Sequence, residues 1–226
     1  MKTVRTKLED RVLPSYTKGE EIFNMVSHIV GGGLAIAALV LCVVFAAIYS
    51  DAWGVVGSAI YGGTMVVLYT MSSIYHGLHR NTAKKVFQII DHCTIYFLIA
   101  GTYTPVTLAG LRPHYPVQAF VLFGIVWACC FLAATLTAID LKKYRVFSMI
   151  CYIAMGWSVL IFIVPTIRCL GVGGTVFLVT GGLAYTIGAV LYGIGKKKKY
   201  VHSVFHLFVI AGSVLHFFMI LFYIIM

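Results

Sequence analysis

Residues 25–49 read MVSHIVGGGLAIAALVLCVVFAAIY, a run of 25 residues that contains no Asp, Glu, Lys or Arg. About 20 apolar residues suffice for a helix to cross the hydrocarbon core of a bilayer. The apolar region of a signal peptide is shorter, about 7 to 15 residues, and the head before this run carries four acids, Glu9, Asp10, Glu20 and Glu21. We therefore expect the run to stay in the protein as a membrane-spanning helix.

Six further apolar stretches follow along the chain, at approximately 53–78, 86–110, 117–139, 145–165, 172–195 and 203–226. Over the 226 residues, 61% are hydrophobic and 11% are charged, against about 25% charged in a soluble domain. No stretch alternates as the strands of a membrane barrel do, and lipid offers the backbone no hydrogen-bond partner, so each is predicted to be a helix. The sequence predicts an all-α polytopic membrane protein with an N-terminal segment, residues 1–24, and a domain of seven transmembrane helices, residues 25–226.

The distribution of basic residues predicts the orientation of these helices. All 17 Lys and Arg residues lie in connections between apolar stretches or in the N-terminal head. The head and alternate connections carry 15 of them, including the run 196–199, whereas the remaining connections carry only Arg112 and Arg168. Because short loops rich in Lys and Arg stay on the cytoplasmic side, we expect a multi-pass protein of the cell membrane, with the N-terminus cytoplasmic and the C-terminus outside.

The formal net charge of +10 does not indicate a nucleic-acid-binding protein. Such a domain groups its basic residues on one face of a soluble fold, whereas here they occupy short gaps between apolar runs. We expect membrane lipids as partners, with the lysine run 196–199 near anionic lipid. Neither nucleic acid nor a soluble protein partner is predicted.

A few polar residues inside the apolar stretches are the candidates for chemistry, because ionisable groups are costly in a membrane. Ser72 and His76 lie near the end of the second stretch, Asp91 lies in the third, and His202 and His206 open the seventh. Residues four apart on a helix share a face, so Ser72 lies with His76, and His202 with His206. A histidine pair at this spacing is a common way for one helix to give a metal two ligands.

The predicted topology places these residues at a similar depth near the cytoplasmic face. The second helix runs inward and ends near His76, whereas the third and seventh run outward and begin near Asp91 and His202. Three neutral imidazoles with one open position are the arrangement of a catalytic zinc site. We expect zinc on His76, His202 and His206, with Asp91 orienting the bound water or taking its proton and Ser72 hydrogen bonding around the site. A b-type haem fits less well, because two histidines on one helix face cannot take opposite axial positions.

The other histidines are interpreted as structural. An isolated histidine in a membrane helix is more often a hydrogen-bonding residue between helices than a metal ligand, and this interpretation applies to His28 and His216. It applies also to His92, which projects about 100° away from its acidic neighbour around the helix. His79 and His114 lie in or beside connections.

Four motifs in combination resemble the bacterial hemolysin III family, which is related to the progestin and adipoQ receptors and, more distantly, to the alkaline ceramidases. In chain order they are Glu21-x2-Asn24-x3-His28, Ser72-x3-His76, IDHCTIYFLIAGTYTP at residues 90–105, and His202-x3-His206 followed by Phe208, Gly212 and His216. The resemblance extends over nearly the whole chain. It implies seven helices with a cytoplasmic N-terminus, a zinc held by His76, His202 and His206, and Asp91 touching the zinc through water.

Three functions remain open from the sequence. The first is an intramembrane zinc-dependent hydrolase of a lipid amide or ester, with Asp91 as the base. The second is a non-enzymatic sensor or regulator of membrane properties, in which zinc only holds the second, third and seventh helices together. The third, implied by the resemblance, is a cytolysin, but a pore needs a polar lumen and these stretches contain few polar residues. An open metal site beside a lipid-sized cavity would favour the hydrolase over the regulator.

Overall fold

The computed structural model describes residues 5–194 and 198–226, and this part of the chain contains helices and no β-strand. In chain order the helices are α1 (Lys18–Tyr49), α2 (Ala52–Gly77), α3 (Thr82–Pro105), α4 (Pro116–Ile139), α5 (Arg145–Gly156), α6 (Ile163–Ile194) and α7 (Val201–Ile220). Short π-helical turns, Val106–Leu111 and Leu221–Ile225, extend α3 and α7, and a 3₁₀ turn, Ser158–Phe162, joins α5 to α6. The predicted all-α class is confirmed. Of the basic residues counted above, Lys2, Lys196 and Lys197 lie outside the described residues.

Six helical stretches in the described part of the chain are long and apolar enough to cross a membrane. The number differs from the predicted seven because Arg145–Gly193 forms one helical stretch of 49 residues, where the sequence predicts two, 145–165 and 172–195. Within α6 the backbone turns at Gly171, whose φ of 64° lies in the left-handed region that glycine adopts without steric cost. These stretches support a multi-pass membrane protein.

The first helix begins earlier than the hydrophobic pattern predicts. Thr17 Oγ1 accepts a hydrogen bond from the Glu20 N–H at 3.3 Å, and the Glu20 carboxylate accepts one from the Thr17 N–H at 2.8 Å. This reciprocal capping box satisfies two backbone donors at a helix start. The helix therefore begins at Lys18, and residues 18–24, predicted as part of the N-terminal segment, are helical.

Helix packing brings several helix ends together on one side of the bundle. Helix α1 packs along α2, α2 along α3 and α6 along α7, and α7 also contacts α1. The approach of α1 to α2 depends on Gly62, where an added Cβ would lie 2.6 Å from the Cα of Leu39. As a result the end of α2 and the starts of α1, α3 and α7 meet, and we call this side the site end.

Residues 5–17, which precede α1, form an N-terminal strap across the site end. The Thr6 N–H donates to the Asp140 carboxylate at 2.8 Å, in the connection between α4 and α5. Arg80, in the connection between α2 and α3, donates to the carbonyl oxygen of Pro14 at 2.9 Å. The strap is thus fixed to two separate connections.

Candidate metal centre

Three histidines from two helices meet at the site end. His76 lies in the last turn of α2, whereas His202 and His206 lie on one face near the start of α7. One ring nitrogen of each histidine lies within 4.8 Å of the others, and all three side chains are buried. The structure therefore brings together the three histidines that the sequence predicts as metal ligands.

The geometry of this histidine group fits a metal ion. His202 Nε2 and His206 Nε2 are 3.2 Å apart. Two nitrogens bound to one metal at about 2.0 to 2.1 Å with tetrahedral angles lie about 3.3 Å apart, which is close to this separation. His76 Nε2 is buried and has no hydrogen-bond partner in residues 5–194 or 198–226, as expected for a nitrogen whose partner is a metal. Imidazole suits zinc, copper, iron and nickel, so the three histidines could bind a metal but do not select which one.

The second ring nitrogen of His76 faces a carboxylate. His76 Nδ1 lies 2.7 Å from Oε2 of Glu21 and 3.5 Å from Nδ2 of Asn24. Oε1 of Glu21 accepts from Nζ of Lys84 at 2.9 Å. A carboxylate on the far nitrogen of a ligand histidine fixes its tautomer and the direction of its ring. Glu21 therefore positions His76 with Nε2 as the nitrogen available to a metal.

Lys84, which the sequence analysis counts in a connection between apolar stretches, is a buried residue of a helix. It lies in the first turn of α3, and its side chain is 2% exposed. Besides its ion pair with Glu21, its Nζ donates to the carbonyl oxygens of His76 and Leu78 at 3.4 and 3.0 Å. Removing one partner of a buried ion pair costs about 3 to 5 kcal/mol. Lys84 therefore connects α1 to the end of α2 and stabilises the site end.

Two aromatic contacts cover the ligand rings. Tyr16 of the strap stacks on His202 with ring centroids 4.9 Å apart and planes at 17°. His28 stacks on His206 at 3.8 Å and 24°. Both ring nitrogens of His28 are buried, and neither has a hydrogen-bond partner among the residues that the structure describes, so the prediction of an interhelical hydrogen bond at His28 is wrong for this part of the chain. The stacked rings restrict the orientation of His202 and His206.

A cavity of about 720 Å³ adjoins the histidine group. Its lining is predominantly apolar, and it includes Asp91 and Ser72, the predicted catalytic residues, together with His202 and His206. Ser72 is buried, whereas Asp91 is half-buried and does not belong to the metal-binding group. Pockets for small ligands have volumes of about 300 to 1,000 Å³. The cavity is therefore large enough for part of a lipid.

The strap also contributes to the wall of this cavity through Tyr16. Burial raises the pKa of the Tyr16 phenol, and the neighbouring Tyr192 and Glu21 raise it further. The phenol is therefore protonated at neutral pH and keeps its O–H as a donor.

Two of the remaining histidines hydrogen bond between helices, as predicted. His92 Nε2 lies 2.9 Å from the hydroxyl of Tyr192, which joins α3 to α6. His216 Nε2 lies 3.1 Å from the carbonyl oxygen of Leu178, which joins α7 to α6. The two connection histidines are exposed: His79 and His114.

The sequence analysis did not predict that three further residues lie beside the histidine group: Glu21, His28 and Lys84. Glu21, Asn24 and His28 follow the spacing i, i+3, i+7, which places them on one face of α1. This polar stripe on an otherwise apolar helix is the signal that identifies them. No comparable spacing marks Lys84, which reaches Glu21 only because the helix ends pack together.

These observations define a polytopic helical membrane protein with a buried group of three histidines, at one end of its bundle, that could bind a metal. The sequence profile described as Haemolysin-III related matches residues 16–217. The chain belongs to the haemolysin III family, which confirms the resemblance inferred from the motifs.

Similar proteins include "Hemolysin-3 homolog" of Bacillus subtilis (strain 168), 38% identical over 208 residues, which are 92% of this chain and 96% of that protein. "Hemolysin-3" of Bacillus cereus is 36% identical over 205 residues, 91% of this chain and 92% of that protein. "Monocyte to macrophage differentiation factor" of Homo sapiens is 26% identical over 192 residues, 83% and 78% of the two chains. This more distant similarity supports the relationship to the progestin and adipoQ receptors. No solved structure matches the chain.

Proposed function

We propose that this protein is an intramembrane zinc-dependent hydrolase that cleaves an amide or ester bond of a membrane lipid. The supporting observation is that the histidine group adjoins a largely apolar cavity of about 720 Å³. A metal that only held helices together would need no such space beside it. A catalytic zinc site has three protein ligands and one position for water or substrate, and the histidine group supplies three ligands.

The proposed chemistry assigns a role to each residue near the cavity. His76, His202 and His206 hold the zinc, which when bound polarises the substrate carbonyl and acidifies a neighbouring water. Asp91 accepts a proton from the water that adds to the carbonyl carbon, and returns it to the leaving nitrogen or oxygen as the amide or ester bond breaks. The products are a carboxylic acid and an amine or alcohol. Ser72, one turn before His76, supplies a hydrogen bond near the reacting group.

The apolar wall of the cavity supports a lipid as the substrate. The lining includes Ile95, Leu98 and Val209, and Val209 lies one turn after His206 on α7. An acyl chain placed there loses its contact with water or lipid headgroups, and the surrounding side chains exclude water from the reaction.

We also infer seven crossings of the cell membrane with a cytoplasmic N-terminus. The stretch Arg145–Gly193 has 49 residues and would extend about 74 Å at 1.5 Å per residue, more than twice the thickness of about 30 Å of a hydrocarbon core. The turn at Gly171 lies where two crossings would meet. When the buried Lys84 is left out of the count, fourteen basic residues lie on the predicted cytoplasmic side of the membrane and two on the other side. This difference supports the proposed orientation.

Lipid turnover tests the proposal directly. Membrane lipid extracts are incubated with the unmodified protein, with His76→Ala and with His114→Ala, and are then compared by mass spectrometry. The unmodified protein and the His114→Ala control, altered at an exposed connection, should consume a lipid amide or ester and release a fatty acid. His76→Ala should release none. If the unmodified protein releases no fatty acid from any lipid offered, the hydrolase proposal fails and a regulator with a structural zinc becomes the better assignment.

A further inference from the structure

Arg11 is a buried cation of the strap, and its charge is not paired within the described part of the chain. Its side chain is 8% exposed and lines the cavity beside the histidine group. Within residues 5–194 and 198–226, its Nη1 has no hydrogen-bond partner and its guanidinium forms no ion pair. Burial of an unpaired charge is strongly destabilising. The position therefore calls for a negative partner that the described chain does not provide.

Asp140 is the carboxylate that attracts Arg11 most, and its oxygens are already occupied. They accept N–H groups from Thr6 at 2.8 Å, Lys142 at 3.1 Å and Lys143 at 3.0 Å. Burial lowers the pKa of the Arg11 guanidinium, and Asp140 offsets this only in part. Asp140 therefore does not replace a direct partner for Arg11.

The strap holds Arg11 at the cavity. On one side of it, Lys85 Nζ donates to the carbonyl oxygen of Glu9 at 2.6 Å. On the other side, Arg80 donates to the carbonyl oxygen of Pro14 at 2.9 Å. Since the backbone is held on both sides, Arg11 stays beside the cavity, and a ligand there meets a cation that is already in place.

At the site end, where the strap and the helix connections line the cavity, basic residues outnumber acidic ones, and further along α3 the lining is apolar. The other charged residues of the lining are Lys142, Arg145, Lys198, Lys199, Asp10, Glu20 and Asp91. The Glu20 carboxylate is engaged by the N–H groups of Thr17 and Tyr200, both at 2.8 Å. Deeper along α3 the lining includes Leu98. Such a cavity suits a molecule with an anionic group at one end and a hydrocarbon chain at the other.

We propose that Arg11 binds an oxyanion, a phosphate or carboxylate group, carried by a lipid whose chain lies in the apolar part of the cavity. The guanidinium offers a planar fork of donors that pairs with two oxygens of such a group. The assignment requires neither zinc nor hydrolysis, so its failure would leave the metal centre in place.

Binding of three probes tests the assignment on the full-length protein in micelles of a non-ionic maltoside detergent, which carries no phosphate or carboxylate group. The probes are dodecyl phosphate, dodecanol and inorganic phosphate. Dodecyl phosphate should bind the unmodified protein about tenfold or more tightly than dodecanol, as expected for hydrogen bonds to a charged group, and should raise its Tm. Arg11→Met should lose this preference. Lys7→Gln, which removes a charge from an exposed strap residue, should keep it, and both variants should retain the metal content of the unmodified protein.

Stability without ligand gives a second measurement. Replacing a buried unpaired charge by an apolar side chain of similar length is expected to stabilise, so Arg11→Met should have a higher Tm than the unmodified protein when no probe is present. A lower Tm, or failure to fold, would show that Arg11 has a structural partner and would overturn the assignment.

An equal loss of preference for dodecyl phosphate in Lys7→Gln would attribute binding to general surface charge. Inorganic phosphate binding as tightly as dodecyl phosphate would make the ligand a free anion. Either result overturns the lipid assignment.

Discussion

Oε2 of Glu21 lies 2.7 Å from Nδ1 of His76, so a residue at the start of α1 determines the direction of a metal ligand at the end of α2. Oε1 of the same carboxylate is bound by Nζ of Lys84 at 2.9 Å. With both oxygens engaged, the carboxylate cannot turn away from the imidazole. The position of His76 therefore depends on contacts among three helices.

Substitution of Glu21 should weaken metal binding without removing a ligand. In Glu21→Gln the amide keeps the size of the side chain but loses the charge that orients His76, and loss of such a partner typically costs about 10- to 100-fold in metal affinity. Competition with a chromogenic chelator measures the affinity. Glu9→Gln, at an exposed position of the strap, is the control. Equal affinities in the two variants would show that the contact does not influence the metal.

The purified protein should contain about one zinc per chain. His202→Ala/His206→Ala should contain almost none, because one remaining histidine cannot hold the ion, and its Tm should fall because metal binding is coupled to folding. Elemental analysis after detergent purification measures the metal. The His114→Ala control should contain as much zinc as the unmodified protein. Zinc well below one per chain in the unmodified protein, or unchanged zinc in the double variant, would contradict the proposed site.

Asp91 should matter more for turnover than for metal retention. Asp91 lies in the cavity wall and outside the metal-binding group, so Asp91→Asn should keep most of the zinc. It should lose about 10² to 10⁴ in the rate of lipid hydrolysis, the usual contribution of a general base, whereas His76→Ala should lose both metal and activity. Parallel metal analysis and fatty-acid release make the comparison. If Asp91→Asn loses its zinc, Asp91 is a direct ligand, the coordination is closed, and the regulator becomes the better proposal.

The proposed topology predicts different labelling of two introduced cysteines. A membrane-impermeant maleimide applied to intact cells should label a cysteine added after Met226 and should not label Lys198→Cys. The unmodified protein, with its six free cysteines, gives the background signal. Labelling at position 198 but not at the C-terminus would reverse the orientation inferred from the basic residues.

The attachment of the strap should depend on pH through Asp140. Burial alone would raise the pKa of this carboxyl, but the N–H groups of Thr6 and Lys143 stabilise the charged form and lower the pKa below its ordinary value. A folded pKa below the unfolded value of about 3.9 means that the stabilisation is complete above that pH and is lost as the pH falls through the folded pKa. At pH 7, Asp140→Asn should therefore show faster hydrogen exchange in the strap than the unmodified protein. The difference should shrink as the pH falls through the folded pKa of Asp140, because the carboxyl is then protonated in both states, and a constant difference over the whole range would contradict this role.

The sequence by itself determined the class of the protein and the local geometry of its candidate ligands. An uncharged run such as residues 25–49 must form a helix in lipid, because only a helix satisfies its backbone within one segment. The shared faces of Ser72 with His76 and of His202 with His206 follow from the helical repeat alone. Both properties depend on residues close together in the chain.

Only the tertiary structure decided which distant polar residues meet. Glu21 and His76 are separated by 55 positions, and no local pattern encodes the packing that joins them. Lys84, counted from the sequence as a residue of a connection, is buried because the starts of α1 and α3 pack against the end of α2. Arg11 faces the cavity only because the strap is fixed to two connections. The hydropathy of a segment indicates how much apolar surface its helix must bury. The depth, rotation and distance of neighbouring helices depend instead on close packing between side chains that are far apart in the sequence.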